Sequence, residues 1–152
     1  ARSGRRMTAA DVPSADLSPD QMAAIHAACF TTPRPWSAKD IADTLASPFA
    51  FLLTAAQGFL IGRCVAGEAE LLTLAVAPAA RQAGVGGQLV DRFLTESAAR
   101  GAESAFLEVS EQNPTAQRLY ARKGFVPQGK RARYYQTPDG GRVDAIILVR
   151  AI

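Results

Sequence analysis

The segment from Arg81 to Gly87 places three glycines at the start of a predicted helix. Glycines let a ligand approach the backbone closely. A helix start leaves several N–H groups without partners and carries partial positive charge, so the segment suits a diphosphate. The alternative is a glycine-rich turn that only tightens the packing of a strand against a helix. A Walker loop is excluded because no Gly-Lys-Ser/Thr follows, and Gly84-x-Gly86-Gly87 departs from the dinucleotide fingerprint.

Two further side chains, Glu108 and Tyr120, have the chemistry to move protons. Glu108 lies in an apolar strand, where a carboxylate is costly as a mere core residue. It also alternates with apolar neighbours, so it could simply lie on a solvated strand face. Tyr120 shares a helical stripe with Ala116, so it either packs in the core with a satisfied hydroxyl or acts as an acid. The pattern alone leaves these alternatives open.

Other nucleophiles and metal ligands are few. The sequence has two cysteines, Cys29 and Cys64, and one histidine, His26. They are too few for a disulfide framework or a Cys/His zinc site, so no metal is predicted. Cys29 follows His26 by nearly one helical turn, but neither an oxyanion hole nor an orienting carboxylate accompanies the pair. We interpret both cysteines as small core residues in a reducing cytoplasm.

The secondary-structure elements that would carry these residues alternate along the chain. Ser18-Pro19-Asp20-Gln21 predicts a capped helix toward Phe30, and Ser37 caps a short second helix after a proline-containing loop over residues 31–36. Strands are predicted over residues 49–54, 59–65 and 70–77, the last of them buried on both faces. There follow a helix over residues 84–100, a strand over 105–109, a helix over 114–123 and a final hairpin.

Size and composition place these elements in one α/β domain. The chain has 152 residues, of which 48% are apolar and 20% charged, as is ordinary for soluble globular proteins. No apolar run reaches the roughly 20 residues of a membrane span, and no signal-peptide core is present, so a cytoplasmic protein is expected. The net charge of +3 rests on Arg2, Arg5 and Arg6. We expect a flexible basic leader over residues 1–10, a single domain over residues 11–152, and no direct contact with nucleic acid.

The succession of a strand, the motif Arg-x-x-Gly-x-Gly and a helix resembles the cofactor signature of the GNAT superfamily of N-acetyltransferases. Further segments resemble the RimI branch, whose bacterial members acetylate the N-terminal amine of a small-subunit ribosomal protein. These segments are Phe30, Pro35-Trp36-Ser37, Leu74-Ala75-Val76, Leu107-Glu108-Val109, Asn113, Leu119-Tyr120, Gly124-Phe125, Tyr134-Tyr135 and Asp144-Ala145-Ile146-Ile147. The resemblance covers nearly the whole chain. It implies a mixed central sheet of about six or seven strands flanked by about four helices.

The resemblance also implies acetyl-CoA as the donor and a role for each matching residue. The backbone of Leu74, Ala75 and Val76 would pair with the pantetheine arm, and Asn113 would contact the cofactor. The diphosphate would be held by Arg81, Gln82, Ala83, Gly84, Val85, Gly86 and Gly87. Glu108 would be the general base and Tyr120 the general acid. Ser110, where this branch often has arginine, and a longer loop over residues 31–34 are departures that bear on peptide specificity.

The proton affinity of the acceptor amine indicates which class of acceptor to expect. An α-amine with a pKa near ~8 costs about 3 kcal/mol less to deprotonate than a lysine near ~10.4, so a carboxylate base suits it better. Trp36, Tyr134 and Tyr135 would provide aromatic walls for a chain end, unless the first is a core anchor and the tyrosines are ordinary strand residues. The alternatives are an acetyltransferase for a small-molecule amine or a lysine side chain, or a noncatalytic CoA-binding module.

Overall fold

A computed structural model of the chain describes residues 16–30 and 34–152. The expected basic leader over residues 1–10, and residues 31–33 of the predicted loop, lie outside the described residues. Four α-helices and six strands make up the described part, as the resemblance implied. None of the described helices is long and apolar enough to cross a membrane.

The order of elements agrees with the predicted alternation. In chain order they are α1 (Pro19–Cys29), α2 (Ala38–Leu45), β1 (Ala50–Ala55), β2 (Gly58–Val65), β3 (Glu68–Val76), α3 (Val85–Ala99), β4 (Ser104–Ser110), α4 (Pro114–Arg122), β5 (Val126–Gln136) and β6 (Arg142–Ala151). A 3-10 turn over Pro78–Ala83 connects β3 to α3. This turn was not predicted from the sequence.

Side chains cap three of the four helices at their N-termini. The Ser18 hydroxyl accepts a hydrogen bond from the Gln21 N–H at 3.1 Å, and the Gln21 side chain accepts one from the Ser18 N–H at 2.8 Å. Ser37 and Asp40 form the same reciprocal pair at the start of α2. Each such cap contributes about 1 kcal/mol. The start of α3, by contrast, has no side-chain cap.

The six strands form one mixed sheet in the order β1-β2-β3-β4-β6-β5. Four of the five neighbouring pairs are antiparallel, and only β3 and β4 run parallel. The parallel ladder is short, because it joins only Glu68–Glu70 to Ser104–Phe106. Beyond it β3 and β4 continue without pairing to each other, and this separation opens the centre of the sheet.

Apolar side chains pack on both faces of the sheet. Leu89, Val90 and Phe93 of α3 are fully buried in one cluster, and Met22 and Ile41 belong to a second cluster beneath α1 and α2. Strand β3 contributes to both clusters, with Leu71 in the first and Ala75 in the second. These contacts cover both faces of β3, as its apolar sequence predicts.

Strand β5 contains a bulge opposite Asp144. Arg131 pairs with Ala145 and Tyr135 with Val143, so three residues of β5 lie opposite one residue of β6. Arg133 within the bulge has a left-handed φ of 53°, and its N–H donates to the Asp144 carboxylate at 2.9 Å. Bulges re-aim side chains and occur next to active sites. Here the bulge separates Arg131 from Tyr135, both of which take part in the site described below.

Candidate active site

A cleft of about 700 Å³ lies where β3 and β4 separate. Its walls come from α1, β3, β4, the start of α3, α4 and β5. Most of the predicted site residues line it, namely Trp36, Leu74, Val76, Arg81, Ala83, Gly84, Gly86, Gly87, Glu108, Asn113, Tyr120 and Tyr135. The separation of two strands therefore gathers residues that are far apart in the chain.

The open edge of β3 presents backbone groups to this cleft. The Ala77 N–H donates to the Gln57 carbonyl at 2.8 Å, on the side of β2. Because successive peptide groups of a strand alternate in direction, those of Leu74 and Val76 face the gap and that of Ala75 faces β2. The Val76 carbonyl already accepts from the Arg81 Nε and the Cys29 Sγ, each at 3.2 Å. An extended amide-containing ligand would thus find partners at Leu74 and at the Val76 N–H.

The start of α3 provides a surface without side chains at the mouth of the cleft. Gly84 has a φ of 79° and precedes α3, and the first turn of the helix contains no acidic residue. No atom lies within 4 Å of the position that a Cβ of Gly84 would take. Arg122 and Lys123 of the α4 end line the same region as Gly84 and Gly87. The N–H groups of a helix start, the open space at Gly84 and the nearby cations all fit the diphosphate of acetyl-CoA, although Lys123 also pairs with Asp91 at 2.9 Å.

Gly86→Val is expected to weaken acetyl-CoA binding at least about tenfold, a loss of roughly 1.4 kcal/mol. A Cβ at Gly86 would lie 3.4 Å from Leu119 Cδ2 and 3.8 Å from Val76 Cγ2, so alanine fits. The two extra methyl groups of valine narrow the approach to the helix start. Titration calorimetry measures the affinity, with Gly86→Ala as the matched control. A folded Gly86→Val variant with parental affinity contradicts the diphosphate assignment.

Glu108 lies in β4 with its carboxylate in the cleft. Its side chain is 18% exposed, and its Oε1 pairs with the Arg131 Nε at 2.9 Å. Arg131 in turn lies over the Tyr134 ring, with the guanidinium carbon 5.0 Å from the ring centroid. Glu108 therefore occupies neither the apolar core nor a fully solvated face. The sequence analysis did not single out Arg131, which is one of several basic residues in β5.

Tyr120 of α4 and Tyr135 of β5 both line the cleft. Tyr120 is 6% exposed, and its ring packs edge-on against Phe125 with centroids 5.9 Å apart. Burial, and then the neighbouring Tyr135, raise the pKa of the Tyr120 phenol above its ordinary value of 10. Burial, and then the charge of Glu108, raise the pKa of Tyr135 to about 12. Both phenols remain protonated at neutral pH and can donate protons.

The other predicted site residues differ in whether they line the cleft. Asn113 caps α4 by accepting from the Ala116 N–H at 3.1 Å and also lines the cleft. Tyr134 is 46% exposed and is not among the lining residues, in contrast to Tyr135. Val85 is buried in the core, and Gln82 belongs to the 3-10 turn. Ser110 is buried, and its hydroxyl accepts from the Gln112 N–H at 3.1 Å in the turn that leads to Asn113.

His26 is a buried wall residue whose two ring nitrogens are both engaged. The Trp36 N–H donates to Nδ1 at 3.1 Å, so Nε2 carries the proton and donates to the Thr73 hydroxyl at 2.8 Å. The ring also stacks on Phe30 and Trp36, with centroids 4.3 Å and 5.7 Å away. The Cys29 thiol donates a hydrogen bond to the Val76 carbonyl instead, so His26 and Cys29 do not form a nucleophilic pair. His26 fixes Trp36 to β3, a role that sequence reasoning did not identify.

His26→Gln is expected to flatten the acid dependence of stability. Burial lowers the pKa of His26 from 6.5 to about 4. Between these values the unfolded chain binds a proton that the folded chain does not, so stability falls as pH drops through this window, by about 3 kcal/mol at most. Urea unfolding between pH 7 and 4 measures the free energy of unfolding of the parent and of the variant. Because carboxylates contribute to both proteins, the difference between the two curves reports on His26. Parallel curves for the two proteins would contradict this role of burial.

Comparisons with known proteins agree with this geometry. Residues 20–125 match the model of the Acetyltransferase (GNAT) family. The ribosomal protein bS18-alanine N-acetyltransferase of Haemophilus ducreyi is 33% identical over 118 residues, which are 75% of this chain and 81% of that protein. The crystal structure of the ribosomal-protein-S18-alanine N-acetyltransferase from Escherichia coli is similar with a TM-score of 0.74 at 33% identity, covering 93% of this chain and 92% of that one.

A third similar protein is Ard1 from Thermoplasma volcanium, with a TM-score of 0.76 at 26% identity. The match covers 92% of this chain and 97% of that chain. One family assignment follows from the separated central strands of the sheet, the glycine-rich helix start and the extent of these matches. The chain belongs to the GNAT family of N-acetyltransferases, enzymes whose acetyl donor is acetyl-CoA.

Proposed function

We propose that this enzyme acetylates the N-terminal α-amine of a protein, and that its acceptor is a ribosomal protein beginning with alanine. The relatives from Haemophilus ducreyi and Escherichia coli are named for that acceptor. The observation that carries the proposal is the arrangement of one carboxylate, Glu108, and two protonated phenols, Tyr120 and Tyr135, around the gap between β3 and β4. Such an enzyme would meet its acceptor in the cytoplasm.

Glu108 acts as the general base of this reaction. An N-terminal amine is largely an ammonium at pH 7 and cannot attack until it loses a proton. The Glu108 carboxylate accepts that proton, directly or through a water molecule. The neutral nitrogen then forms a bond to the thioester carbonyl carbon, and the carbon–sulfur bond breaks. Acetyl-CoA supplies the activated acetyl group for this transfer.

Tyr120 acts as the general acid. The thiolate that leaves when the carbon–sulfur bond breaks needs a proton, and Tyr120 is buried, protonated and in the cleft. The products are an amide and a free thiol. Tyr135 lies close enough to influence the pKa of Tyr120 and to be influenced by Glu108. Tyr135 therefore belongs to the same cleft wall as Glu108 and Tyr120.

The donor and acceptor use different parts of the same cleft. On the donor side, the exposed peptide edge of Leu74 and Val76 receives the pantetheine arm, and the helix start at Gly84 receives the diphosphate. On the acceptor side, Phe30, Trp36 and Tyr135 form aromatic walls. Trp36 also packs in the cluster beneath α1 and α2, so it is a core anchor as well as a wall residue.

The test compares acceptors that differ in the kind of amine. The enzyme is incubated with acetyl-CoA and either an alanine-starting peptide, the same peptide blocked at its N-terminus but containing lysine, or a polyamine. Release of free thiol and mass spectrometry report transfer and its position. We expect acetylation of the free α-amine. Transfer only to the lysine or the polyamine would reject this acceptor and support the alternatives that remain open from the sequence.

A further inference from the structure

The Arg131–Glu108 ion pair reaches across an intervening strand. Glu108 pairs with Ile147 of β6, and Arg131 pairs with Ala145, two residues away on the same strand. Residues that pair directly, and those two apart along a strand, point to one face of a sheet. The two side chains therefore share a face, with β6 between their strands. The small side chain of Ala145 leaves room for the guanidinium to meet the carboxylate at 2.9 Å.

Contacts outside the pair hold Arg131 in this position. Its guanidinium lies over the ring of Tyr134, a cation–π contact that favours the same orientation. The β5 bulge begins directly after Arg131 and is held by the Arg133–Asp144 hydrogen bond. The Asp144 carbonyl also accepts from the Glu111 N–H at 3.0 Å, which links the bulge to the end of β4. The sheet thus sets the backbone position of Arg131 relative to Glu108, and the ion pair and the Tyr134 ring orient its side chain, which is 53% exposed.

A carboxylate base alone creates a difficulty for amine acetylation. A negative charge beside an ammonium stabilises the charged form and raises the pKa of the amine. The same residue that must accept the proton then holds the substrate in its unreactive state. A fixed positive charge next to the carboxylate offsets this effect, because it repels the ammonium and does not affect the neutral amine.

We propose that Arg131 is a further functional residue of the acetyl transfer, whose guanidinium lowers the proton affinity of the acceptor amine bound at Glu108. Arg131 engages Oε1, and the acceptor amine approaches the other carboxylate oxygen from the cleft. The proton passes from the amine nitrogen to Glu108, while Arg131 keeps its own protons. This inference rests on the proposed role of Glu108 as the base.

Burial shifts the pKa of three titratable side chains in the cleft wall. Burial holds the pKa of His26 at about 4, and burial with neighbouring groups raises the pKa of Tyr135 to about 12 and that of Tyr120 above its ordinary value. Charged and titratable residues that line the cleft or adjoin the pair include His26 and Cys29 on α1, Tyr120 on α4, Lys130, Tyr134 and Tyr135 on β5, and Asp144 on β6. Lys130 and Asp144 pair with each other at 3.6 Å. His26, Tyr120 and Tyr135 therefore do not titrate between about pH 6 and 10, the range in which an α-amine does.

The experiment measures single-turnover rates across this pH range, with the enzyme in excess over acetyl-CoA and the peptide saturating, for the parent, Arg131→Gln and Arg131→Lys. Single turnovers prevent product release from masking the chemical step. For Arg131→Gln, the midpoint of the rise in rate should move up by about one pH unit, with a loss of about five- to tenfold at pH 7. The loss should vanish near pH 10. The KM for the peptide at pH 7, from steady-state rates, should fall, because the guanidinium no longer repels the bound ammonium.

Arg131→Lys keeps the charge and should retain the parental midpoint. Arg142→Gln, at an exposed position at the start of β6, removes the same charge and should leave the profile unchanged. An unmoved midpoint in Arg131→Gln, or an equal loss at every pH, overturns the inference, as does a shifted midpoint in Arg131→Lys. Glu108→Gln is measured in parallel. If it is slow while Arg131→Gln keeps the parental midpoint, only the role of Arg131 fails; if Glu108→Gln is fully active, the base assignment fails.

Discussion

Glu108→Gln is expected to lower turnover at pH 7 by at least about tenfold, because loss of a general base costs roughly 100- to 10,000-fold when no other group replaces it. Glutamine keeps the shape of the side chain and can still accept a hydrogen bond from Arg131, but it cannot take up a proton. The deficit should shrink toward high pH, where the acceptor amine is already neutral. Initial rates with an alanine-starting peptide at several pH values measure both effects.

The matched control for this variant is Glu111→Gln. Glu111 is exposed, lies just beyond the end of β4 and meets its neighbours through its backbone. The same chemical change at this position should leave turnover near the parental value. A loss in Glu108→Gln that is equal at every pH would indicate that Glu108 orients the acceptor rather than deprotonating it. Full activity would require a different base.

Much of the fold could be predicted because its signals are local. The capping boxes at Ser18 and Ser37 are formed by residues three apart, and the structure contains both. The broad apolar stripe of α3 and the proline after Asn113 likewise act within one or two helical turns. The GNAT-like mixed sheet was therefore confirmed, with six strands and four helices in the described part of the chain.

The cleft itself could not be predicted from such signals. It exists because β3 and β4 pair over only three residues and then separate. The register of a parallel pair is set by contacts between residues far apart in sequence, which periodicity does not reveal. The position of β6 could not be predicted from local signals either, because it lies between β4 and β5 although it follows both in the chain. Only the resemblance indicated that Glu108 and Tyr120 would meet in one site.

The residues that sequence reasoning missed depend on long-range contacts of this kind. His26 bonds to Thr73, 47 residues away, and a lone histidine in an apolar helix carries no sign of that partner. Arg131 is one of three basic residues within four positions of β5, and only the bulge register selects it as the partner of Glu108. Tyr134 and Tyr135 are adjacent, yet the structure places only Tyr135 among the residues that line the cleft.

Tyr120→Phe is expected to slow acetyl transfer while leaving acetyl-CoA affinity and stability close to parental values. The substitution removes one oxygen, and the phenylalanine ring can keep its edge-on contact with Phe125. The leaving thiolate then lacks its proton donor, so turnover at pH 7 should fall by about 100-fold or more, as is typical for a lost general acid. Turnover, titration calorimetry and thermal unfolding measure the three quantities separately. A donor with a more acidic leaving thiol should recover much of the rate, because it needs less protonation.

Tyr135→Phe is the comparison that decides between the two phenols of the cleft. Tyr135 lines the cleft together with Glu108 and is half-buried, with a pKa of about 12, so it too is protonated at neutral pH. If Tyr120 is the acid, the donor with the better leaving thiol should rescue Tyr120→Phe and should not rescue Tyr135→Phe. Rescue of Tyr135→Phe alone would assign the acid to Tyr135. Parental activity in Tyr120→Phe would make its phenol a packing residue and leave the proton to Tyr135 or to water.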